Sequence, residues 1–316
     1  MQHYLVTGGA GFIGSHLAVR LLRDGHRVRV LDDLSTGRRE NLEAIAAAGA
    51  QDRFEWIEGD VRSSTTCLRA CKGIDFVLHQ AALASVPRSV EDPVGTTQVN
   101  VMGTLTVLEA ARRCGVRRVV LASSSSVYGD TEVLPKSEDM EPRPLSPYAC
   151  AKLAGETFAR VFAVTLGLPT ISLRYFNVFG PRQNPDSAYA AVVPRFARAL
   201  LERRRPQVFG DGHQSRDFTF VDNVVQANLD ACTRGEGRGE AINIACGERY
   251  SLMNLLDELA SLTGQTPDPE MLPPRPGDVR HSQASIDRAR RLLGFSVQTG
   301  FREGLERTVQ YYRDAG

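Results

Sequence analysis

A glycine-rich loop at residues 8–14, with the sequence GGAGFIG, is the feature that most restricts how this chain can fold. The apolar run Tyr4-Leu5-Val6 before the loop predicts a strand, and the apolar spacing from Ser15 to Leu22 predicts a helix. Glycines in such a loop allow a tight turn and let the backbone approach a pyrophosphate, which the N–H groups of the helix N-terminus can bind. The spacing is GxxGxxG, whereas the commonest dinucleotide fingerprint is GxGxxG. The loop therefore predicts a dinucleotide-binding strand–loop–helix unit.

A second predicted strand ends in an acidic residue where ribose-binding carboxylates occur. Residues 27–31 (RVRVL) form this strand, and Asp32 follows 24 residues after Gly8. A carboxylate there accepts hydrogen bonds from ribose hydroxyls and repels a 2′-phosphate. We therefore predict NAD as the cofactor, in preference to NADP, with Asp33 beside Asp32 in the same site. The alternative, a glycine turn followed by a solvated acid, leaves the order of strand, loop, helix, strand and acid unexplained.

Strand-like and helix-like segments alternate through the first 175 residues. The predicted strands end near Thr7, Asp32, Glu58, His79, Ala122 and Arg174. The predicted helices lie at about 12–24, 38–48, 64–72, 93–115 and 147–167. This alternation predicts an α/β fold, a Rossmann-type doubly wound parallel sheet that binds ligands beyond the carboxyl ends of its strands.

Beyond residue 176 the pattern is interrupted by prolines and predicts shorter elements. We expect a smaller C-terminal α/β domain there that binds the substrate. The predicted domains are residues 1–176, which bind the dinucleotide, and residues 177–316, which mainly bind the substrate. The segment at about 208–233 is a candidate for returning to the first domain.

Composition and charge restrict the class of partner. The formal net charge of +1 argues against a general nucleic-acid or membrane surface, and no apolar stretch approaches the roughly 20 residues of a membrane span. The segment Met1-Gln2-His3 leaves no room for a secretory signal before the first strand, so we expect a cytoplasmic protein. The six cysteines are scattered and predict free thiols, without a metal site.

A tyrosine and a lysine spaced four residues apart predict proton-transfer chemistry. Tyr148 and Lys152 share one face of the predicted helix at 147–167, and Lys152 is one of only three lysines. A nearby ammonium favours the phenolate, so we expect it to lower the pKa of Tyr148 and make it a general base. The serine run at 123–126 follows the fifth predicted strand and supplies a hydroxyl that can orient a substrate alcohol. Together these residues predict hydride transfer between an alcohol carbon and nicotinamide, although each motif alone is weak.

Taken together, these motifs resemble the extended short-chain dehydrogenase/reductase family, and over about residues 2–313 the chain is similar to its UDP-sugar 4-epimerases. The resemblance also rests on residues 83–89 (LASVPRS), 188–194 (AYAAVVP), 210–212 (GDG) with 215–217 (SRD), and 277–282 (GDVRHS). These segments resemble the branch that acts on UDP-N-acetylhexosamines. The resemblance implies a UDP-sugar substrate, 4-epimerisation through a transient 4-keto sugar, retained NAD and a homodimer formed by helices 93–115 and 147–167.

The resemblance also assigns roles to individual residues. The implied catalytic residues are Ser124, Tyr148 and Lys152. The implied cofactor-binding residues are Gly8, Gly11, Phe12, Ile13, Gly14, Asp32, Asp33, Asp60, Val61, Ala81, Asn100 and Phe176. The implied substrate-binding residues are Ser85, Ser126, Asn177, Ala191, Arg216, Arg275 and Ser282, of which Asn177, Arg216 and Arg275 hold the diphosphate. For Arg216 an ion pair with Asp217 remains an alternative.

Three small side chains favour an N-acetylated sugar. Ser282, Ala191 and Ser85 leave room where a bulky aromatic side chain at position 282 would exclude an N-acetyl group. We therefore expect interconversion of UDP-GlcNAc and UDP-GalNAc, with activity on UDP-glucose and UDP-galactose. Dehydration is disfavoured because serines replace the acidic pair that follows the catalytic hydroxyl in dehydratases. A UDP-glucuronic acid 4-epimerase, with Arg88 or Arg182 on the carboxylate, and a non-catalytic dinucleotide sensor remain alternatives.

Overall fold

The computed structural model describes residues 1–49, 51–186, 190–274 and 279–315. Its centre is a parallel sheet of seven strands in the order β11-β6-β5-β4-β1-β2-β3. These strands are β1 (His3–Thr7), β2 (Arg27–Asp32), β3 (Phe54–Glu58), β4 (Phe76–His79), β5 (Arg118–Ser124), β6 (Thr170–Tyr175) and β11 (Arg238–Ile244). The predicted doubly wound α/β fold is confirmed.

Helices cover both faces of the sheet because each strand alternates its buried side chains between the two faces. Tyr4 and Val6 of β1 belong to one apolar core, whereas Leu5 belongs to the other. The first core is covered by α1 (Phe12–Arg23), α2 (Arg39–Ala48) and α9 (Val221–Thr233). The second core is covered by α3 (Ser64–Cys71), α6 (Thr104–Arg113) and α7 (Pro147–Leu166).

Most of the remaining elements lie in the second half of the described chain. The helices are α4 (Val86–Glu91), α5 (Pro93–Thr97), α8 (Val192–Leu201), α10 (Leu252–Thr263), α11 (Asp287–Leu293) and α12 (Phe301–Ala315). A π-helical segment, Gln98–Gly103, joins α5 to α6, and 3₁₀ turns lie at Gln51–Arg53 and Ser125–Tyr128. The strands, which form three two-stranded sheets, are β7 (Val178–Phe179), β8 (Gln207–Phe209), β9 (Ser215–Arg216), β10 (Thr219–Phe220), β12 (Tyr250–Ser251) and β13 (Glu270–Leu272).

The seventh strand of the main sheet was not predicted from the sequence. Strand β11 pairs in parallel with β6, although it lies more than 60 residues further along the chain. Helix α9, just before it, packs against α1 and β5. The second half of the chain therefore contributes both a strand and a covering helix to the central sheet.

Helix α7 is fixed at both ends by residues that suit their positions. Pro147 occupies the first turn, and the Ser146 hydroxyl accepts a hydrogen bond from the Ala149 N–H at 3.2 Å. Gly167, with φ of 72°, ends the helix in the left-handed conformation. These caps fix where the helix starts and ends, so Tyr148 and Lys152 project from one face toward the end of β5.

Candidate active site

A long cleft opens above the carboxyl ends of the central strands. Its lining combines the glycine loop, the turns after β2, β3 and β4, the end of β5 and the start of α7. The residues that line it are Gly8, Gly11, Phe12, Ile13, Gly14, Leu31, Asp32, Asp33, Ser35, Thr36, Gly59, Val61, Gln80, Ala81, Ala82, Leu83, Ala84, Val99, Ala122, Ser123, Tyr148, Lys152 and Tyr175. Nine of the twelve predicted cofactor-binding residues and two of the three predicted catalytic residues therefore meet in one cleft, which we call the first cleft.

The glycine loop can take its shape only without side chains at two positions. Gly8 has a φ of 68°, and a Cβ there would lie 2.6 Å from the backbone nitrogen of Ala81. A Cβ on Gly14 would lie 2.2 Å from the carbonyl oxygen of Gly8. The backbone is thus packed closely on itself at the start of α1, and the N-terminal N–H groups of the helix adjoin the cleft. This arrangement fits the pyrophosphate of a dinucleotide.

Asp32 is held in place by the two loops beside it. One carboxylate oxygen, Oδ2, accepts the Ala10 N–H at 2.9 Å, and the other, Oδ1, accepts the Leu34 N–H at 2.8 Å. Burial raises the pKa of Asp32, and these two backbone hydrogen bonds oppose the shift. Each oxygen keeps a second lone pair for a ribose hydroxyl, so the residues present fit the adenosine half of NAD.

The proposed general base lies beside the serine turn. Ser124 Oγ accepts hydrogen bonds from the Ser126 N–H at 3.1 Å and from Ser126 Oγ at 2.9 Å. Because both of those protons come from Ser126, the proton of Ser124 is free to point toward the Tyr148 phenol. The hydrogen bond between Ser124 and Tyr148 lowers the pKa of the phenol. Ser124 and Ser126 thus adjoin the first cleft through Tyr148, although they do not themselves line it.

The pKa of Tyr148 is raised, whereas we expected the neighbouring Lys152 to lower it. Burial raises the pKa of Tyr148, and that effect exceeds the contribution of Ser124. The Lys152 ammonium donates to the Ala122 carbonyl at 2.8 Å and lies 5.8 Å from the centroid of the Tyr148 ring. The ammonium therefore lies beside the ring and is held by a backbone carbonyl. Burial lowers the pKa of Lys152 to about 8, and the carboxylate of Glu156 opposes this shift.

A buried ion pair between Glu156 and Arg174 contacts the end of β5 through Ser123. Glu156 accepts two hydrogen bonds from Arg174, at 2.9 and 2.7 Å, and a third at 2.5 Å from the Ser123 hydroxyl. Both charged side chains are buried, so their geometry depends on this pairing. Glu156 was not predicted as a site residue from the sequence. Its spacing, four residues after Lys152 and eight after Tyr148, was the available signal.

A second cleft lies among the short elements of the C-terminal half. It is lined by Asn177, Val178, Ala190, Ala191, Val192, Val193, Arg195, Gln207, Phe209, Gln214, Arg216, Phe218 and Leu252. Three predicted substrate-binding residues, Asn177, Ala191 and Arg216, therefore come together there. Most of the other lining side chains are apolar.

Asp217 organises the backbone behind this second cleft. Its buried carboxylate accepts hydrogen bonds from the N–H groups of Cys246, Gly247 and Ala284 at 2.9, 3.0 and 3.2 Å. Burial raises the pKa of Asp217 to about 7, opposed by these three hydrogen bonds. Among the described residues no ion pair joins Arg216 to Asp217. Arg216 instead donates from Nη1 to the carbonyls of Ser215 and Arg280, at 3.0 and 3.1 Å.

Three predicted cofactor-binding residues do not line the first cleft. Asn100 is buried and bridges the backbone of Leu83, accepting its N–H at 2.8 Å and donating to its carbonyl at 3.1 Å. The Asp60 carboxylate pairs with Arg62, while its neighbours Gly59 and Val61 line the cleft. Phe176 is fully buried against the Tyr128 ring. Asn100 therefore acts on the cleft indirectly, through the backbone of the lining residue Leu83, and Asp60 is the chain neighbour of two lining residues.

Three predicted substrate-binding residues lie away from the lining of the second cleft or outside the described chain. The Ser85 hydroxyl caps α4 by accepting the Arg88 N–H at 3.2 Å. Ser282 is only 5% exposed, and its N–H bonds the Ser215 carbonyl at 3.0 Å. Arg275 lies outside the described residues, as do parts of the two motifs at 188–194 and 277–282.

Arg182, one of the two arginines considered for binding a glucuronate carboxylate, is directed toward α1. Arg182 contacts His16, with 3.3 Å between Nε and Nε2, and burial lowers the pKa of the guanidinium to about 10. Neither cleft includes it. Arg88 on α4 likewise lines neither cleft, so the structure favours neither arginine for that role.

Comparison with known proteins agrees with this geometry. The model of the NAD dependent epimerase/dehydratase family matches residues 4–245. UDP-glucose 4-epimerase of Mycolicibacterium smegmatis is 44% identical over 312 residues, which are 98% of both chains. The solved structure of UDP-N-acetylglucosamine 4-epimerase from Methanobrevibacter ruminantium, in complex with UDP-N-acetylmuramic acid, is 35% identical. That match has a TM-score of 0.94 and covers 100% of this chain and 99% of that one.

A third similar protein has a solved structure that contains both a UDP-sugar and NAD. UDP-glucuronic acid 4-epimerase from Bacillus cereus, in complex with UDP-glucuronic acid and NAD, is 33% identical. The match covers 99% of this chain and 100% of that one, with a TM-score of 0.91.

The chain belongs to the NAD dependent epimerase/dehydratase family. It is an enzyme of the isomerase class with NAD as its cofactor, which confirms the predictions of an enzyme and of NAD. Within the described residues, no helix is both long and apolar enough to cross a lipid bilayer. The roles of individual site residues stay predictions.

Proposed function

We propose that the enzyme epimerises a UDP-hexose at C4, with UDP-GlcNAc and UDP-GalNAc as its main pair of substrates. NAD-dependent UDP-sugar 4-epimerisation is the activity that the comparisons support. The observation that carries the proposal is the meeting of Tyr148, Lys152 and the glycine loop in the first cleft, with Ser124 hydrogen-bonded to Tyr148. A proton acceptor and a dinucleotide site in one cleft suit the reversible oxidation of an alcohol.

In this mechanism Tyr148 removes the proton from the sugar 4-hydroxyl and later returns it. NAD, which the glycine loop and Asp32 would hold, would supply the hydride acceptor for C4 and the hydride for its return. Ser124 shares its proton between the Tyr148 phenol and the sugar oxygen and so orients the hydroxyl. Lys152 reaches the Ala122 carbonyl from the same helix face and holds a positive charge beside the phenol ring. The 4-keto sugar must turn between the two transfers, so the protein must hold the substrate by another part.

In our proposal the second cleft binds the UDP part of the substrate. Asn177 and Arg216 line it and, with Arg275, bind the diphosphate, because guanidinium groups donate paired hydrogen bonds to phosphate oxygens. Binding energy from the nucleotide anchors the molecule while the sugar remains free to turn. On this basis residues 1–176 bind NAD, residues 177–316 mainly bind the UDP-sugar, and α9 returns to the first part.

The choice of sugar depends on small side chains near the site. Ala191 lines the second cleft, and Ser282 bonds the backbone of Ser215, the neighbour of Arg216 in that cleft. Ser85 caps α4 and directly follows Ala84, which lines the first cleft. Small residues at these positions leave volume for an N-acetyl group. The second candidate substrate, UDP-glucuronic acid, is favoured by the likeness to the Bacillus cereus enzyme.

A panel of UDP-sugars tests the proposal directly. Purified protein is incubated with UDP-GlcNAc, UDP-GalNAc, UDP-glucose, UDP-galactose and UDP-glucuronic acid without added NAD, and the products are followed by NMR. We expect UDP-GlcNAc and UDP-GalNAc to interconvert fastest and UDP-glucose more slowly. Conversion of UDP-glucuronic acid alone would replace the proposed substrate, and no conversion of any sugar by NAD-loaded protein would refute 4-epimerisation.

We also propose that the enzyme is a homodimer. Four apolar side chains on α5, the π-helical segment and α7 are exposed, namely Val94, Met102, Val161 and Val164. Helix α5 and the π-helical segment pack against α7, so these elements can present a joint surface to a second copy. Leu108 of α6 is fully buried toward the sheet and does not belong to this surface. Light scattering after gel filtration should give twice the chain mass, and Val164→Glu should give the monomer.

A further inference from the structure

Lys152 lines a small cavity as well as the first cleft. This inner cavity lies between α7 and the strands β4, β5 and β6. The polar side chains that line it together with Lys152 are His79, Asn100, Thr104, Ser123, Glu156 and Ser172. Glu156 is the only carboxylate among these described lining residues, and its side chain is only 8% exposed. The ammonium and one buried carboxylate therefore share the inner cavity.

Other charges near the Lys152 ammonium are few. Among the described residues, its one hydrogen-bond partner is the Ala122 carbonyl, at 2.8 Å. His79 on β4 is neutral at pH 7, because burial and the charge of Lys152 lower its pKa to about 3. The strand that precedes the acidic pair of the first cleft, β2, is three strands away from β5, about 14 Å at the usual spacing. The other titratable side chains that line the first cleft with Lys152 are Asp32, Asp33, Tyr148 and Tyr175.

The Glu156 carboxylate has a fixed position beside the inner cavity. It accepts two hydrogen bonds from Arg174, at 2.9 and 2.7 Å, and one from the Ser123 hydroxyl at 2.5 Å. Arg174 is held in turn, since its guanidinium carbon lies 4.8 Å from the centroid of the Tyr128 ring. The Tyr128 hydroxyl donates to Asn243 at 2.6 Å. The negative charge of Glu156 therefore stays close to the cavity.

Burial and the carboxylate act on the Lys152 ammonium in opposite directions. Removal of an ammonium from water favours the neutral amine, whereas a nearby carboxylate favours the charged form. Burial is the stronger effect here and lowers the pKa of Lys152 to about 8, with Glu156 opposing it. Without the carboxylate, the amine would lose its proton at a still lower pH.

We propose that Glu156 is a positioning residue that keeps Lys152 in its ammonium form at neutral pH and holds the end of β5 through Ser123. The inference rests on the proposed function, in which the Lys152 cation stands beside the Tyr148 phenol. Glu156 acts on Lys152 by its charge across the inner cavity. Arg174 limits that action, because its guanidinium binds the same carboxylate.

The chain allows a direct measurement, because it has only three lysines, Lys72, Lys136 and Lys152. NAD-loaded enzyme labelled with ¹³C at the lysine ε-carbon should give three NMR signals, and the signal missing in Lys152→Arg belongs to Lys152. Its chemical shift between about pH 6 and 11 reports the protonation of the amine. We expect a midpoint of about 8 in the wild type.

Two variants should move this midpoint in opposite directions. Glu156→Gln removes the carboxylate and leaves the Arg174 cation, so the midpoint should fall by about one pH unit or more. Arg174→Gln frees the carboxylate from its partner, so the midpoint should rise by about half a pH unit. The alkaline limb of kcat/KM should follow the midpoint in both variants. A loss of packing alone would not produce shifts of opposite sign.

A surface ion pair provides the matched control. Glu109 on α6 pairs with Arg112 at 2.9 Å, and both side chains are exposed. Glu109→Gln makes the same change of charge as Glu156→Gln, but outside the inner cavity. The midpoint of Lys152 should stay unchanged in this variant, because exposed charges are screened by salt.

Three results would overturn the proposal. One is a Lys152 midpoint below pH 7 in the wild type, a measurement that requires no variant to fold. The others are an unchanged midpoint in Glu156→Gln that retains its NAD, and shifts of the same sign in the two variants. Failure of the proposed function looks different, because the midpoints would then move as expected while the wild type converts no UDP-sugar.

Discussion

The two clefts of this enzyme are built in different ways. In the first cleft, functional residues follow the ends of long, consecutive parallel strands, and each is held by its own βα turn. In the second cleft Arg216 lies on a two-residue strand, whereas Asn177 and Ala191 directly precede β7 and α8. Asp217 fixes the backbone there through bonds to residues 29, 30 and 67 positions away. The first cleft therefore depends on local structure, and the second depends on distant contacts. A substitution in one cleft should therefore impair the function of that cleft and leave ligand binding in the other unchanged.

The largest effect should follow from removing the general base in the first cleft. Tyr148→Phe should lower kcat about 1,000-fold, because the proton acceptor for the sugar hydroxyl is lost. NAD content, measured by absorbance after denaturation, should stay unchanged. Tyr175→Phe is the matched control, since Tyr175 lines the same cleft but bonds only Gln80 and Asn228. An equal loss in both variants would remove Tyr148 from its proposed role.

A bulky side chain near the second cleft should separate two classes of substrate. Ser282→Tyr should reduce turnover of UDP-GlcNAc by about 100-fold or more and spare UDP-glucose, because the ring fills the space of the N-acetyl group. NMR assays with both sugars measure the ratio. Ser282 is buried, so the melting temperature must be followed as a control for overpacking. Equal loss with both sugars in a folded variant would contradict the volume argument.

Removing the hydrogen bonds of Asp217 should weaken UDP binding in the second cleft without affecting NAD binding in the first. Asp217→Asn keeps at most two of the three backbone hydrogen bonds and turns an N–H toward another donor, which costs about 1–3 kcal/mol. UDP affinity should fall about 10- to 100-fold, while NAD content stays unchanged. Asp211→Asn is the control, because Asp211 is exposed and pairs with Arg280 at the surface. Loss of NAD together with UDP would show that the two clefts are not independent.

Loss of the positive charge of Lys152 at high pH should be visible in the pH dependence of kcat/KM. Its folded-state pKa of about 8 lies below the usual value for lysine, so the ammonium is present below pH 8 and is lost as the pH rises through 8. If turnover needs this cation, kcat/KM should fall about tenfold per pH unit above 8. Lys152→Arg keeps a cation across the range and should be slower but lack this limb. The same alkaline limb in both enzymes would assign it to another group.

The smallest effect is expected at the exposed thiol between the two catalytic positions. Cys150 lies on the outer face of α7, since it is exposed while Ala149 and Ala151 are buried. Cys150→Ser should change neither kcat nor NAD content by more than about twofold, as for most surface substitutions. A larger loss would indicate that the face of α7 was wrongly assigned.

Prediction from sequence succeeded where the relevant contacts are local. The six strand ends of the first half were placed close to their observed positions, because alternating βα units leave a clear pattern. Strand β11 was missed because its partner β6 is far away in the chain and its own sequence carries no neighbouring βα signal. The direction of the Tyr148 pKa shift was also wrong. Spacing placed Lys152 on the correct face, but only the structure shows that burial dominates and that the ammonium bonds Ala122.

The sequence by itself determined the parallel sheet, the glycine loop and the shared face of Tyr148 and Lys152. These features follow from turn chemistry and helical spacing within a few residues. Tertiary structure alone decided that Glu156 pairs with Arg174 and that Asp217 binds three backbone N–H groups. Burial and partners set the state of a polar group, and both are supplied by residues far away in the chain.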